Sequence, residues 1–246
     1  MLMPRQTRQF EEGGIYHVLN RGVEKRKIFS KTQDYHRFIL GLEFFNSSDT
    51  TDLWHLLARG GSDPPRARVQ SVGERLASQR TKQKWHLVDL LAFVLMPNHF
   101  HLILREIHEG GISAFMKKLG GYAMYFNKQY HRVGPLFQSR YKAVPIKSDA
   151  QLSVIYTYVH TNPVEIIEPL WKKENKVFHL DKALAYLNEY PWTSYHDYVG
   201  RPQFPFVTQR DYLSDYFGSA QACQREVEEW VEHKAAMADF DRREFE

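Results

Sequence analysis

The spacing of apolar residues switches several times along the chain between a period of two and a period of three to four, and each switch marks an element. From Gly14 to Gly22 the β-formers Ile15, Tyr16, Val18 and Leu19 predict a first strand, closed by a glycine. Tyr35, Phe38, Ile39 and Leu42 then recur at i, i+3, i+4 and i+7, an amphipathic helix. Ser30 and Gln33 have capping-box spacing at its start, and Phe29 sits where a hydrophobic staple would. Leu87 to Leu95 is an almost unbroken apolar run, Met96-Pro97-Asn98 supplies a turn, and His99 to Arg105 resumes an extended pattern. These predict a β-hairpin in the middle of a sheet. A second helix follows Ser113, with Phe115, Leu119, Tyr122 and Phe126 on one side and Gly120-Gly121 weakening its middle. Gly134-Pro135 breaks it, and Lys142 to Lys147 offers a short fourth strand. Ser148 and Gln151 form another capping box, opening a helix that must stop by Asn162 because Pro163 follows.

The order β-α-β-β-α-β predicts an α+β fold: a ferredoxin-like split βαβ antiparallel sheet with helices on one face. Between 47 and 84 the pattern dissolves into polar and turn residues, an inserted excursion to which no chemistry is assigned. Beyond 164 the sequence predicts a helix near Ala183 to Asn188, an aromatic stretch from Tyr190 to Tyr195, and an amphipathic acidic helix from about Ala220. Residues 201–246 are therefore expected to form a helical C-terminal extension.

The formal net charge of +4 is modest, but its distribution is not. From Gly110 to Ser148 there is no Asp or Glu, whereas Lys117, Lys118, Lys128, Arg132, Arg140, Lys142 and Lys147 all fall there. The tail is acidic, with Glu226, Glu228, Glu229 and Glu232 among its carboxylates. A polyanion is thus expected along the basic stretch rather than the tail. Cys223, the single cysteine, excludes an internal disulfide, and nothing resembles a signal peptide or a membrane span, so a cytoplasmic protein without a membrane partner is expected.

Two groups of residues could carry chemistry. His99 and His101 alternate on a predicted strand, so both imidazoles share a face while Phe100 anchors the other. Two neutral histidines on a rigid strand can hold a divalent cation, although a catalytic site needs a further ligand, and histidines with a purely structural role have the same spacing. Tyr158 and Asn162 are i and i+4 on a predicted helix, so a phenol and a carboxamide can reach one place together. An amide oxygen suits Mg²⁺ or Mn²⁺; a tyrosine at this position could equally pack the helix against the sheet.

Leu95-Met-Pro-Asn-His-Phe-His-Leu-Ile-Leu104 with Tyr158-x-x-x-Asn162-Pro163 resembles the IS200-like Y1 transposases, most closely the REP-associated tyrosine transposases. The likeness runs from about Gly13 to about Gly200 and includes Tyr16-His-Val-Leu-Asn-Arg-Gly22, Gly134-Pro-Leu-Phe-Gln-Ser-Arg-Tyr141 and Pro191-Trp-Thr-Ser-Tyr195. It implies a catalytic domain over 1–200, interrupted by the insertion. It also implies His99, His101 and Asn162 as ligands of Mg²⁺ or Mn²⁺ and Tyr158 as a nucleophile on single-stranded DNA next to hairpin-forming, REP-like repeats. The product would be a 5′-phosphotyrosine enzyme and a free 3′-hydroxyl, in a monomer or homodimer. Tyr125, with Gln129 at i+4, is the alternative nucleophile because the insertion-sequence branch has Tyr-x-x-x-Gln. Lys117, Lys118, Lys128, Arg132, Arg140 and Lys142 are the expected DNA contacts. A domesticated hairpin-DNA binder that no longer cuts is the alternative function.

Overall fold

In the computed structural model the described residues are 9–48, 74, 86–174 and 176–245. The insertion expected at 47–84 lies almost wholly outside them. Four strands, β1 (Ile15–Arg21), β2 (Val88–Met96), β3 (His99–Glu106) and β4 (Lys142–Ile146), form one antiparallel sheet in the order β2-β3-β1-β4. That is the strand order of a split βαβ unit. Helix α1 (Thr32–Phe44) joins β1 to β2, and the second crossover is divided into α2 (Gly111–Leu119) and α3 (Tyr122–Gln129) at Gly120 and Gly121. The two adjacent glycines break the helix because neither contributes a side chain to packing and both favour the coil.

Alternation decides which residues face which layer. Tyr16, Val18, Leu90, Phe93, Leu95, Phe100, Leu102 and Leu104 pack against α1, α2 and α3 in one buried cluster. The opposite face carries Leu91, Ala92, Val94, Met96 and Ile103, covered by α4 (Asp149–Thr161) and by helices that follow it. The two crossover helices thus lie on one face as expected, and the C-terminal extension adds a third layer on the other. Leu213, Cys223, Val227, Val231 and Ala235 belong to that second cluster, brought there by α9 (Asp211–Phe217) and α10 (Ala220–Phe245). Before them come the short turns α5 (Val164–Ile167) and α6 (Trp171–Glu174), α7 (Leu180–Glu189) and α8 (Tyr195–Tyr198).

β2 is an outer strand, not a central one, yet every residue in it is buried. Its free edge is covered by chain from 192 to 209. Leu95 N donates to Trp192 O at 2.8 Å, Ser194 N to Phe93 O at 3.0 Å, and Gln209 N to Leu90 O at 2.9 Å. The unbroken apolar run therefore reflects helices on both faces and a capped edge rather than a place mid-sheet. At the opposite edge, β4 is largely exposed and carries Pro145 and Lys142, residues that discourage pairing with another strand.

The capping signal at α4 matches the structure, whereas at α1 it is displaced by one residue, the N-cap being Lys31 and not Ser30. Asp34, rather than Gln33, accepts from Ser30 N at 2.7 Å and Lys31 N at 2.9 Å, so α1 begins at Thr32. Buried Asp34 also takes the Tyr130 hydroxyl at 2.7 Å, which is why a carboxylate is tolerated in the core there. At α4, Ser148 Oγ accepts from Gln151 N at 3.3 Å, as the capping spacing predicts.

Gly22, at the end of β1, donates to Asn98 O at 2.8 Å, and a Cβ there would stand 2.1 Å from Arg26 O. A backbone oxygen cannot swing aside as a side chain can. Gly22→Ala is expected to destabilise the protein by about 1–3 kcal/mol, the usual cost of overpacking. A shift of the urea midpoint at constant slope measures it; an unchanged midpoint would show that the loop after β1 is soft.

Candidate functional site

β1 and β3 are paired so that Leu19 stands opposite His101, and Arg21 opposite His99. Cross-strand partners share a face, so Ile15, His17, Leu19 and Arg21 lie on the same side of the sheet as His99, His101 and Ile103. β4 continues that face with Lys142, Val144 and Ile146. Helix α4 crosses it, held down by Leu152, Tyr156 and Val159 in the second core cluster. On the far side of α4, His160 Nε2 meets Ser194 Oγ at 2.9 Å, and that hydroxyl accepts from Phe93 N at 2.9 Å. Ser153 is hydrogen-bonded to Glu226, which ties α4 to α10 as well.

This anchoring points Tyr158 back at the sheet. Its ring stands edge-on to His101, with centroids 5.4 Å apart, and to His17 at 6.0 Å. His99 and His101 are 5.0 Å apart, ring to ring. Asn162, the C-cap of α4, brings Oδ1 to 3.2 Å from His99 Nε2. The structure thus brings together all four residues, Tyr158, His99, His101 and Asn162. The imidazoles and the carboxamide are buried, while Tyr158 is half-buried and open on one side.

Hydrogen bonds around His99 orient both of its neighbours. Asn98 Nδ2 donates to Lys25 O at 3.2 Å and Asn162 Nδ2 to Tyr158 O at 3.3 Å, so each carboxamide turns its oxygen toward the ring. Those oxygens lie 2.6 Å from Nδ1 and 3.2 Å from Nε2. A neutral imidazole has one N–H to give. With the hydrogen on Nδ1, in the shorter contact, Nε2 would present a lone pair beside the Asn162 oxygen.

Tyr125 is not part of this group. It lies in the other core layer, its hydroxyl donates to Asp34 Oδ1 at 3.3 Å, and burial beside that carboxylate pushes its pKa up. The basic set divides likewise. Lys117, Lys118 and Lys128 sit on α2 and α3, and Arg132 just beyond, in the layer on the opposite face; Lys118 is hydrogen-bonded to Ser47 O. Arg140 is exposed in the approach to β4, and Lys142 is exposed on the site face itself.

Two residues of the site were not singled out from the sequence. His17 Nε2 lies 2.8 Å from His101 Nδ1, with the rings stacked at 4.9 Å, and burial drives its pKa down to about 4. Arg21, half-buried opposite His99, makes no side-chain hydrogen bond or ion pair with the described residues. The available signal was alternation in β1, which sets a histidine and an arginine among the otherwise apolar positions of one face.

Residues 68–162 match the family described as transposase, IS200-like. The likeness to that family covers this segment of the chain. The matched segment spans β2 to the end of α4, so it holds both histidines of β3 and both Tyr158 and Asn162, but not β1. No curated protein matches this chain. A solved structure of a REP-associated tyrosine transposase bound to a REP hairpin is similar over 84% of this chain and 94% of that one, with 15% identity and a TM-score of 0.46. Among the described residues, no helix is long and apolar enough to cross a membrane, and no group of three His, Cys, Asp or Glu could hold a metal ion. Two imidazoles and a carboxamide are the residues that could do so.

Proposed function

We propose that the protein nicks and rejoins single-stranded DNA beside hairpin-forming repeats, with Tyr158 as nucleophile. The observation that carries this reading is the convergence of a half-open tyrosine on a buried His-His-Asn group, delivered by an anchored helix onto a strand pair. The Tyr158 oxygen attacks the scissile phosphorus, forming a tyrosine–phosphate bond at the 5′ end and breaking the P–O3′ bond. The phenol loses its proton as that bond forms, and the departing 3′ oxygen takes one up. Because one phosphodiester is exchanged for another, the step reverses or joins a new 3′ end without a nucleoside triphosphate.

The donor set suits Mg²⁺ or Mn²⁺. A lone pair on His99 Nε2 facing an amide oxygen 3.2 Å away calls for a shared positive charge, and neighbouring donors on a six-coordinate ion at ~2.1 Å lie about 3 Å apart. His99, His101 and Asn162 would hold the ion, which when bound polarises a phosphate oxygen and offsets the charge growing on it. His17 stays neutral behind His101, so it adds no repulsion. Arg21 and Lys142 offer positive charge on the same face to the strand being cut. Lys117, Lys118, Lys128, Arg132 and Arg140 are assigned to the hairpin's other phosphates.

The test is a 5′- and 3′-labelled single strand carrying a palindromic hairpin, incubated with the protein and Mn²⁺ or Mg²⁺ and compared with EDTA. Metal-dependent cleavage with a covalent protein adduct is expected. Tight binding without an adduct under either metal would instead establish a hairpin binder that does not cut.

Arg21→Ala is expected to slow cleavage by about 10²-fold, the usual cost of losing a donor to an oxyanion. It should also flatten the dependence of log affinity on log salt by about 0.7, as loss of one single-strand phosphate contact does. Unaltered rate and salt slope would place the phosphate away from β1.

A further inference from the structure

We infer that His17 is a positioning residue: it accepts the Nδ1–H of His101 and thereby holds that imidazole in the tautomer whose Nε2 lone pair is directed away from His17. The contact between His17 Nε2 and His101 Nδ1, 2.8 Å long and buried, can be arranged in only two ways when both rings are neutral. If His17 donates, His101 must carry its hydrogen on Nε2, and that atom can neither ligate a cation nor accept a proton. If His17 accepts, Nε2 of His101 is a bare donor atom.

Two features favour the second arrangement. The first is His99: its Nδ1 lies 2.6 Å from Asn98 Oδ1, closer than its Nε2 lies to Asn162 Oδ1 at 3.2 Å, so the same Nδ1–H arrangement in both imidazoles of β3 would leave both Nε2 atoms as donors to an ion. The second is confinement: the two rings lie side by side within 20° of parallel, with centroids 4.9 Å apart, and both are buried on the paired central strands. An oriented acceptor behind a ligating histidine is the usual means of fixing its tautomer, ordinarily a carboxylate or carbonyl; here an uncharged imidazole fills that place. Its neutrality leaves the cluster's charge to the ion and the phosphate.

The inference rests on the proposed metal-assisted cleavage, and its test separates the two. Long-range ¹H–¹⁵N spectra of the metal-free protein report which ring nitrogen of each histidine is protonated. Nδ1–H is expected for His101 in the wild type and in His17→Gln, whose side-chain oxygen can still accept. His17→Leu, which cannot accept, should lose that preference and bind Mn²⁺ about 10–100-fold more weakly, read by titration of the protein with Mn²⁺ alone. An Nε2–H His101 in the wild type overturns the inference, as does a His17→Leu protein with wild-type tautomer and Mn²⁺ affinity. His99→Ala serves as the control for the reading beneath it. If that variant binds Mn²⁺ as the wild type does, the metal site lies elsewhere and the proposed function loses its cation, whatever His101 shows.

Discussion

Tyr158→Phe is expected to abolish the covalent protein–DNA adduct, a loss of at least about 10³-fold in cleavage rate, while leaving hairpin binding within a factor of two or so. The phenol oxygen is the atom that becomes bonded to phosphorus in the proposed reaction, and removal of a nucleophile typically costs about 10⁴–10⁶ in rate. The ring stays, so its edge contacts with His17 and His101 persist and the fold should not change. Tyr125→Phe serves as the contrast. Its hydroxyl donates to Asp34 in the opposite layer, so its removal should cost about 0.5–1.5 kcal/mol of stability and leave the adduct intact. Electrophoresis of labelled DNA under denaturing conditions reads both variants. An adduct that survives in Tyr158→Phe and vanishes in Tyr125→Phe would move the chemistry to the other side of the sheet.

Stability should fall on acidification from pH 6.5 toward pH 3, and His160 should account for much of the fall. Burial drives its pKa down to about 3, against roughly 6.5 for an exposed histidine. Below pH 6.5 the unfolded chain takes up a proton that the folded chain refuses, so the folded state is fully favoured above that pH and loses ground as the pH drops. A gap of that size is worth about 5 kcal/mol by pH 3, with a slope approaching 1.4 kcal/mol per pH unit. His17, lowered to about 4, acts in the same direction over a narrower range. His160→Asn removes the titrating group and should flatten the profile between pH 6.5 and 4.5 by up to one proton equivalent. Urea unfolding at a series of pH values measures this, and parallel profiles for the two proteins would mean that His160 charges without opening the core. The consequence reaches the site, because the His160–Ser194 contact is one of the ties that hold α4 over the sheet.

Much of this arrangement can be read locally. Alternation on β3 places His99 and His101 on one face, helical spacing puts Tyr158 and Asn162 on one side of α4, and capping chemistry starts α4 at Asp149. Each statement concerns residues within a few positions of one another, where backbone geometry alone dictates direction. The split βαβ class was legible from the order of elements, since few topologies suit a β-α-β-β-α-β chain, but the outer place of β2 was not, because its apolar run suggested a strand mid-sheet.

Tertiary structure decided what lies between such segments. Which face of the sheet α4 covers depends on where Leu152, Tyr156 and Val159 find apolar partners, and those partners are spread from β2 to α10. The pairing of β1 with β3 sets His17 diagonally beside His101 and Arg21 opposite His99 across more than 75 residues, a register no local spacing reveals. It also separates Lys117 and Lys128 from Lys142, although all three fall in one basic stretch of sequence. Sequence by itself therefore determined the elements and the side each chemical group takes on its own element. Only the docking of those elements, governed by long-range burial and strand register, determined which groups share a site.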